Sequence, residues 1–155
     1  MVHDGPPNGH PRFDDFEVGI AYRSYGRTVT EADLVTFTSF AGLRLPVFVD
    51  DEYARTQSPH GGRIAPGFLT ASLTAGMIES VLGPDVLAGL SLDKFQFHAP
   101  VRPGDTLRAE IAVDEKRATS SGDRGILKLT IRVFNQKGEV PLEYTSTVLM
   151  DRRSD

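Results

Sequence analysis

The stretch that decides the fold is GFLTASLTAGMIESVL, residues 67–82, which is the longest helical pattern in the chain. Large apolar residues recur at helical spacing, and small residues such as Ala71, Ala75 and Gly76 fill positions between them. A helix that is apolar or small on most of its sides is typical of one buried on most of its surface. Gly83 and Pro84 follow directly and predict its end.

After this helix the apolar period changes from helical spacing to alternation. Ile126, Lys128 and Thr130 alternate with Leu127 and Leu129, which predicts a strand with one apolar face. The same reading gives four strands, at Leu90–His98, Thr106–Arg117, Gly125–Phe134 and Val140–Met150. One apolar helix followed by consecutive long strands predicts an α+β domain in which an antiparallel sheet wraps the helix.

The region before the long helix has less regular structure. Residues 22–29 predict a first strand, and residues 31–41 an amphipathic helix that begins at an N-cap, Thr30, and ends at Gly42. Residues 43–66 predict mostly loop, with a short helical turn at 51–55. We expect a flexible N-terminal tail at 1–12, a single domain at 13–150 and a C-terminal tail at 151–155.

Composition excludes several classes of function. The chain has 155 residues, 39% of them hydrophobic and 25% charged, with a net charge of −4, so nucleic acid and anionic membranes are not expected partners. It contains no cysteine, no membrane-length apolar run and no apolar signal-peptide core, which predicts a soluble cytoplasmic domain. No glycine-rich phosphate loop or metal-ligand spacing is present, so we predict neither a cofactor nor a metal.

Three segments together resemble a known family. They are FAGLRLPVFVD at 40–50, SPHGGRIAPG at 58–67 and FHAPVRPGDTL at 97–107. In this order they resemble MaoC-like dehydratases and (R)-specific enoyl-CoA hydratases, over about residues 13–150. The resemblance implies the hot-dog fold and an acyl-CoA or acyl-carrier-protein thioester as ligand. It also implies a homodimer, or a heterodimer with another hot-dog subunit.

Hydrating an enoyl thioester requires a base, an acid and a group that stabilises charge on the thioester oxygen. The resemblance implies that the backbone N–H of Gly67 fills the third role, with Ile64 and Ala65 beside it in the substrate site. Orphan N–H groups and the positive dipole end at the start of a helix suit that role. The alternative is that Gly67 serves only helix entry or close packing.

The acid and the base are missing from the positions where the family has them. Its loop reads Gly-Asp-x-Asn-Pro-x-His, and Gly42 and Pro46 fit that frame. Leu43 stands at the Asp position, Leu45 at the Asn position and Phe48 at the His position. Leu and Phe exchange no protons, so we predict that standard hydratase activity is absent and that these three side chains make the substrate pocket more apolar.

Other residues are candidates for the missing roles. His60 and Asp50 are weak catalytic candidates, although Asp50 also suits a structural role through local hydrogen bonds. His98 is weaker still, at the end of a predicted strand. Arg63 either positions the loop or contacts a phosphate of the thioester carrier.

Three functions therefore stay open at the level of sequence. The chain is a thioester enzyme with relocated catalytic groups, a non-catalytic subunit of a heteromeric dehydratase, or a homomeric binding module for acyl thioesters. A resemblance in fold does not choose between them.

Overall fold

The computed structural model describes residues 1–153, so the last two residues of the predicted C-terminal tail lie outside the described part. Four α-helices occur, at Glu31–Ala41 (α1), Pro46–Val49 (α2), Asp51–Thr56 (α3) and Gly67–Leu82 (α4). The predicted bounds of α1 and of the long helix agree with these. A short 3-10 helix at Phe13–Asp15 precedes them.

The strands form one mixed, largely antiparallel sheet. They are Val2–Asp4 (β1), Ala21–Arg23 (β2), Arg27–Thr28 (β3), Val86–Phe97 (β4), Thr106–Ala118 (β5), Arg124–Phe134 (β6) and Leu142–Asp151 (β7). Their spatial order is β1-β2-β5-β6-β7-β4, with β3 pairing to β5. Only the β1–β2 pair is parallel among the pairs of the described chain.

The sheet packs around α4, as the sequence predicted. The buried side chains of α4 include Leu69, Met77 and Val81, and they share one core with the inward residues of β5, β6 and β7. In β7 every second residue from Leu142 to Met150 is buried, which is the alternation expected of a strand covered on one face. Thus α4 packs against one face of the sheet, and its first turn lies beside Phe97 at the end of β4.

Helix α1 begins and ends where its sequence signals lie. The Thr30 hydroxyl accepts the Asp33 N–H, and the Asp33 carboxylate accepts the Thr30 N–H, which together form a capping box. Gly42 ends the helix in the left-handed conformation with φ of 68°. The capping box therefore fixes the start of α1, and Gly42 fixes its end and the start of the segment that follows.

The first predicted strand, at 22–29, is divided in two. The buried Ser24 hydroxyl accepts the Ala109 N–H at 2.9 Å, so a side chain takes a ladder position that a backbone carbonyl otherwise fills. The chain resumes pairing with β5 at β3. The interruption therefore follows from a side chain that competes with the backbone for one donor.

The N-terminal segment, predicted as a tail, carries β1 and ordered contacts. The Gly5 N–H donates to the Arg23 carbonyl at 2.8 Å, and the Arg12 guanidinium pairs with Asp85 at 3.2 Å. Among residues 1–153, none of the helices has the length and apolar character that crossing a bilayer requires.

Candidate functional site

An open cleft of about 500 Å³ lies at the first turn of α4. Three parts of the chain meet there: α2, the loop that leads into α4, and the end of β4 with the segment that follows it. Its lining includes Phe48, His60, Ile64, Ala65, Gly67, Phe68, Thr70, Phe97 and His98. Most of these are apolar or aromatic, which is typical of a pocket for an apolar ligand.

Two backbone donors at the start of α4 have no partner in the described chain. The N–H groups of Leu69 and Thr70 both donate to the Pro66 carbonyl, at 2.9 and 3.3 Å. Those of Gly67 and Phe68 donate to no acceptor within residues 1–153, and no side chain caps the helix. Free N–H groups at the positive end of a helix dipole favour a bound carbonyl or anion.

Gly67 has a packing reason as well as a chemical one. A Cβ added at Gly67 would lie 2.6 Å from the ring of Phe97. A side chain at this position therefore collides with an aromatic ring of β4. The close-packing alternative and the carbonyl-binding role both require glycine, so the residue type alone does not separate them.

Thr70 places a hydroxyl on the same cleft, one turn beyond Gly67. The residue is only 2% exposed, and its hydroxyl makes no hydrogen bond within the described residues. The hydroxyl oxygen keeps enough exposure at the cleft for water or a ligand to hydrogen-bond to it. Thr70 is thus a further polar contact available at the helix start.

The three apolar residues of the loop after α1 have different positions. Leu43 is partly buried, and its N–H donates to the Thr38 carbonyl at 2.9 Å, which continues the turn made by Gly42. Leu45 is 61% exposed and directly precedes α2. Phe48 is partly buried and lines the cleft. Of the three, only Phe48 belongs to the set of described residues that line it.

The two weak catalytic candidates, Asp50 and His60, also differ in whether they line the cleft. The Asp50 carboxylate accepts the Tyr53 N–H at 2.9 Å and thereby caps α3, outside the cleft-lining set of the described chain. His60 lines the cleft, and its carbonyl accepts a hydrogen bond from the Arg102 guanidinium. Asp50 has the local bond expected of a structural role, whereas His60 lies in the wall of the cleft. A catalytic role for either stays a prediction.

Arg63 is held by carboxylates of neighbouring helices. It pairs with Glu31 of α1, and its Nε lies 3.5 Å from Asp51 of α3. That Nε is buried and makes no hydrogen bond of good geometry, so its contact with Asp51 is Coulombic. These are the contacts of a residue that positions the loop. A contact with a carrier phosphate stays a prediction.

Sequence reasoning missed Phe68, Thr70 and Phe97 as cleft residues. Thr70 carried a usable signal, because residues three apart share one face of a helix and Gly67 was already a candidate. Phe97 carried none, because it reaches Gly67 only through the packing of β4 against α4. His98, weighed as a weak candidate, also lines the cleft.

Another surface cleft, of about 750 Å³, lies at the opposite edge of the sheet beside Asp4, Arg23 and Arg108. It contains none of the residues predicted from the sequence. Within residues 1–153, no three His, Asp or Glu side chains converge in a way that could hold a metal ion.

A match to a protein-family model establishes the family of this chain. A model described as "MaoC like domain" matches residues 16–131, which is well over half of the chain. The chain belongs to the MaoC-like domain family. The family resemblance predicted from the sequence is thereby confirmed.

Two curated relatives of this MaoC-like domain differ in how much of their own length it matches. The (R)-specific enoyl-CoA hydratase of Rhodospirillum rubrum is 35% identical over 104 residues, which is 65% of this chain and 68% of the relative. Protein MaoC of Klebsiella aerogenes is 29% identical over 104 residues, which is 67% of this chain. The chain spans only 31% of that relative's length.

Solved structures establish the fold. A Mycobacterium tuberculosis protein with a double hotdog fold superposes with a TM-score of 0.85 at 23% identity, over 95% of this chain and 46% of that one. With the sheet wrapped around α4, this confirms the predicted α+β hot-dog fold.

Proposed function

We propose that this MaoC-like domain binds acyl groups carried as thioesters on coenzyme A or acyl carrier protein, and that it lacks standard hydratase activity. One observation carries the proposal: Gly67 and Phe68, whose N–H groups have no partner in the described chain, line a mostly apolar cleft. A thioester has a carbonyl oxygen that can accept hydrogen bonds from the N–H groups and an acyl group that can pack against the apolar walls.

The proposed absence of hydration rests on Leu43 and Phe48, which stand at the Asp and His positions of the hydratase loop. A positioned acid or base contributes roughly 10²–10⁴-fold to such a rate. Phe48 lines the cleft and supplies only an apolar ring there. We therefore expect binding of an enoyl thioester without its hydration.

The test measures binding and turnover on the same protein. Crotonyl-CoA and a longer enoyl-CoA are titrated by calorimetry, and hydration is followed by the loss of enoyl absorbance. Binding without turnover supports the proposal, and failure of both thioesters to bind more tightly than free coenzyme A overturns it. Turnover would overturn the second half and favour relocated catalysis. In that case His60→Gln should abolish it, and the matched change Asp50→Asn, outside the cleft, should not.

A second candidate, a non-catalytic subunit paired with an active hot-dog companion, needs an uncovered edge for that companion, and strand β4 has one. Within the described chain β4 pairs with β7 on one side only. It is 12 residues long and exposes Leu87, Leu90 and Leu92 by 45–60%. Long apolar edge strands are normally covered in native proteins. A second hot-dog subunit, identical or not, supplies a strand that covers this edge.

The subunit arrangement is testable by mass. Light scattering should find a dimer of this chain alone, or a monomer that becomes a heterodimer when an active companion is added. The double variant Leu90→Lys/Leu92→Lys should remain monomeric, whereas Phe40→Lys, which is 89% exposed on α1, should not change the mass. A dimer that survives the two β4 charges would contradict an interface at this edge.

A further inference from the structure

Aromatic rings from three separate elements meet at the cleft. Phe48 comes from α2, Phe68 from α4 and Phe97 from the end of β4. Phe68 and Phe97 are 69% and 52% exposed, although both are large apolar side chains beside a concave surface. Exposed apolar groups that converge on one cleft mark a binding surface.

Two of these rings, those of Phe68 and Phe97, lie near a further ring, Phe95, which in turn stacks on Tyr144. Phe95 lies 6.3 Å from Phe68 and 6.2 Å from Phe97, measured between ring centres. Tyr144 of β7 stacks on Phe95 at 4.6 Å with the two ring planes 13° apart. Tyr144 is buried in the core, so the exposed rings rest on a fixed base. Binding costs less free energy when the rings of the site are already ordered than when they must become ordered.

One of the rings lies directly beside the proposed carbonyl site. The Phe97 ring is so close to Gly67 that a Cβ there would be 2.6 Å from it. A carbonyl held by the free N–H groups of Gly67 and Phe68 therefore brings the adjoining part of its acyl group against Phe97. The first atoms beyond the thioester then lie beside this aromatic ring.

The choice of residues matters for the ligand. Leu, Ile or Val would line a pocket for a methylene chain equally well, since burial of apolar area has no directional preference. Aromatic rings add a preference for other aromatic rings, at offset or edge-to-face geometries with centres 4.5–7 Å apart. The volume of about 500 Å³ falls within the range of small-molecule sites.

We infer that this cleft selects acyl thioesters whose acyl group carries a flat aromatic ring close to the thioester carbonyl. The inference rests on the proposed thioester binding and adds the class of acyl group. Phe48, Phe68 and Phe97 are the specificity-determining side chains, and Phe95 and Tyr144 hold two of them in place. The proposal also gives a function to Phe48, the residue that the resemblance places at the family's histidine position.

The experiment compares acyl groups of equal carbon number on one carrier. Cinnamoyl-CoA is titrated against nonanoyl-CoA, and benzoyl-CoA against heptanoyl-CoA, with free coenzyme A as the reference. The aromatic member of each pair should bind about tenfold more tightly, as the ring–ring contacts of one bound aryl group allow. Equal or tighter binding of the aliphatic members overturns the selectivity while leaving thioester binding intact. If no thioester binds better than free coenzyme A, thioester binding itself is wrong and the selectivity falls with it.

Variants assign the effect to the rings. Phe48→Leu and Phe68→Leu should each reduce the aromatic preference several-fold while nonanoyl-CoA affinity changes little. Phe68 is largely exposed, so its variant keeps the test available if Phe48→Leu does not fold. Phe40→Leu, on α1 and outside the cleft, is the matched control and should preserve the preference. An unchanged preference in a folded Phe68→Leu protein, or an equal loss in the control, contradicts the assignment.

Discussion

The loop after α1 and the first turn of α4 meet at one cleft, yet they bring different chemistry to it. The segment after α1 contributes Phe48, an apolar side chain that exchanges no protons. The helix start contributes the free N–H groups of Gly67 and Phe68. Proton transfer depends on particular side chains, whereas a helix terminus binds a carbonyl through its backbone. A sequence change can therefore remove the first ability and leave the second.

The largest expected effect comes from restoring the loop. We expect the double variant Leu43→Asp/Phe48→His to hydrate crotonyl-CoA at least about 100-fold faster than the unaltered chain, because it adds both proton-transfer groups. The loss of enoyl absorbance measures this rate. Each single variant is the control and should gain much less. A folded double variant that binds crotonyl-CoA and remains inert would show that the loop does not carry the difference.

A smaller effect is expected at the helix start. Gly67→Ala should lower the free energy of unfolding by about 1 kcal/mol, because the new methyl group displaces the outer part of the half-exposed Phe97 ring. Chemical denaturation measures the loss. Gly76→Ala is the matched control in the same helix: its Cβ meets no atom within 4 Å, so stability should stay equal or rise.

A second substitution separates packing from binding at Gly67. Phe97→Ala should restore the stability that Gly67→Ala removes, since it takes away the colliding ring. If Gly67 serves only packing, the double variant binds crotonyl-CoA as tightly as Phe97→Ala alone. We expect weaker binding instead, because the methyl group also obstructs approach to the free N–H groups.

The next effect concerns the loop's acidic residue. Asp50→Ala should cost about 1 kcal/mol of stability, the usual loss for an N-cap, and should leave thioester affinity unchanged. Thr30→Ala, which removes the cap of α1, is the matched comparison and should cost a similar amount. Thermal denaturation and calorimetry measure the two quantities. A loss of affinity confined to Asp50→Ala would give this carboxylate a role in the site.

The smallest effect is expected at Thr70. Thr70→Val removes a hydroxyl that has no hydrogen-bond partner in the described chain, so stability should change by less than about 0.5 kcal/mol. If the hydroxyl contacts bound thioester, affinity falls roughly fivefold, the value of one neutral hydrogen bond. Thr74→Val is the contrast, because the Thr74 hydroxyl donates to the Thr70 carbonyl at 2.7 Å. Unchanged affinity in Thr70→Val would remove this residue from the site.

Local signals in the sequence predicted local structure well. Thr30 and Gly42 placed both ends of α1, and Gly67 and Gly83 bracketed α4, because caps and stops act within one turn of the residues that carry them. The period-2 alternation placed β5, β6 and β7 to within a few residues. It missed the first residues of β4, where register shifts between Val86 and Ala88 and between Gly89 and Ser91 interrupt the pairing with β7.

By itself, the sequence determined the order of α1, α4 and the four long strands, the burial of α4 and the apolar character of Leu43, Leu45 and Phe48. It missed β1 and α2. Only the tertiary structure decided which of these residues share the cleft. It brought Phe48 and Phe97 to the first turn of α4 and placed Asp50 on a cap instead. Capping and periodicity depend on neighbours within a few residues, whereas the cleft is made by segments that meet only when the sheet closes around the helix.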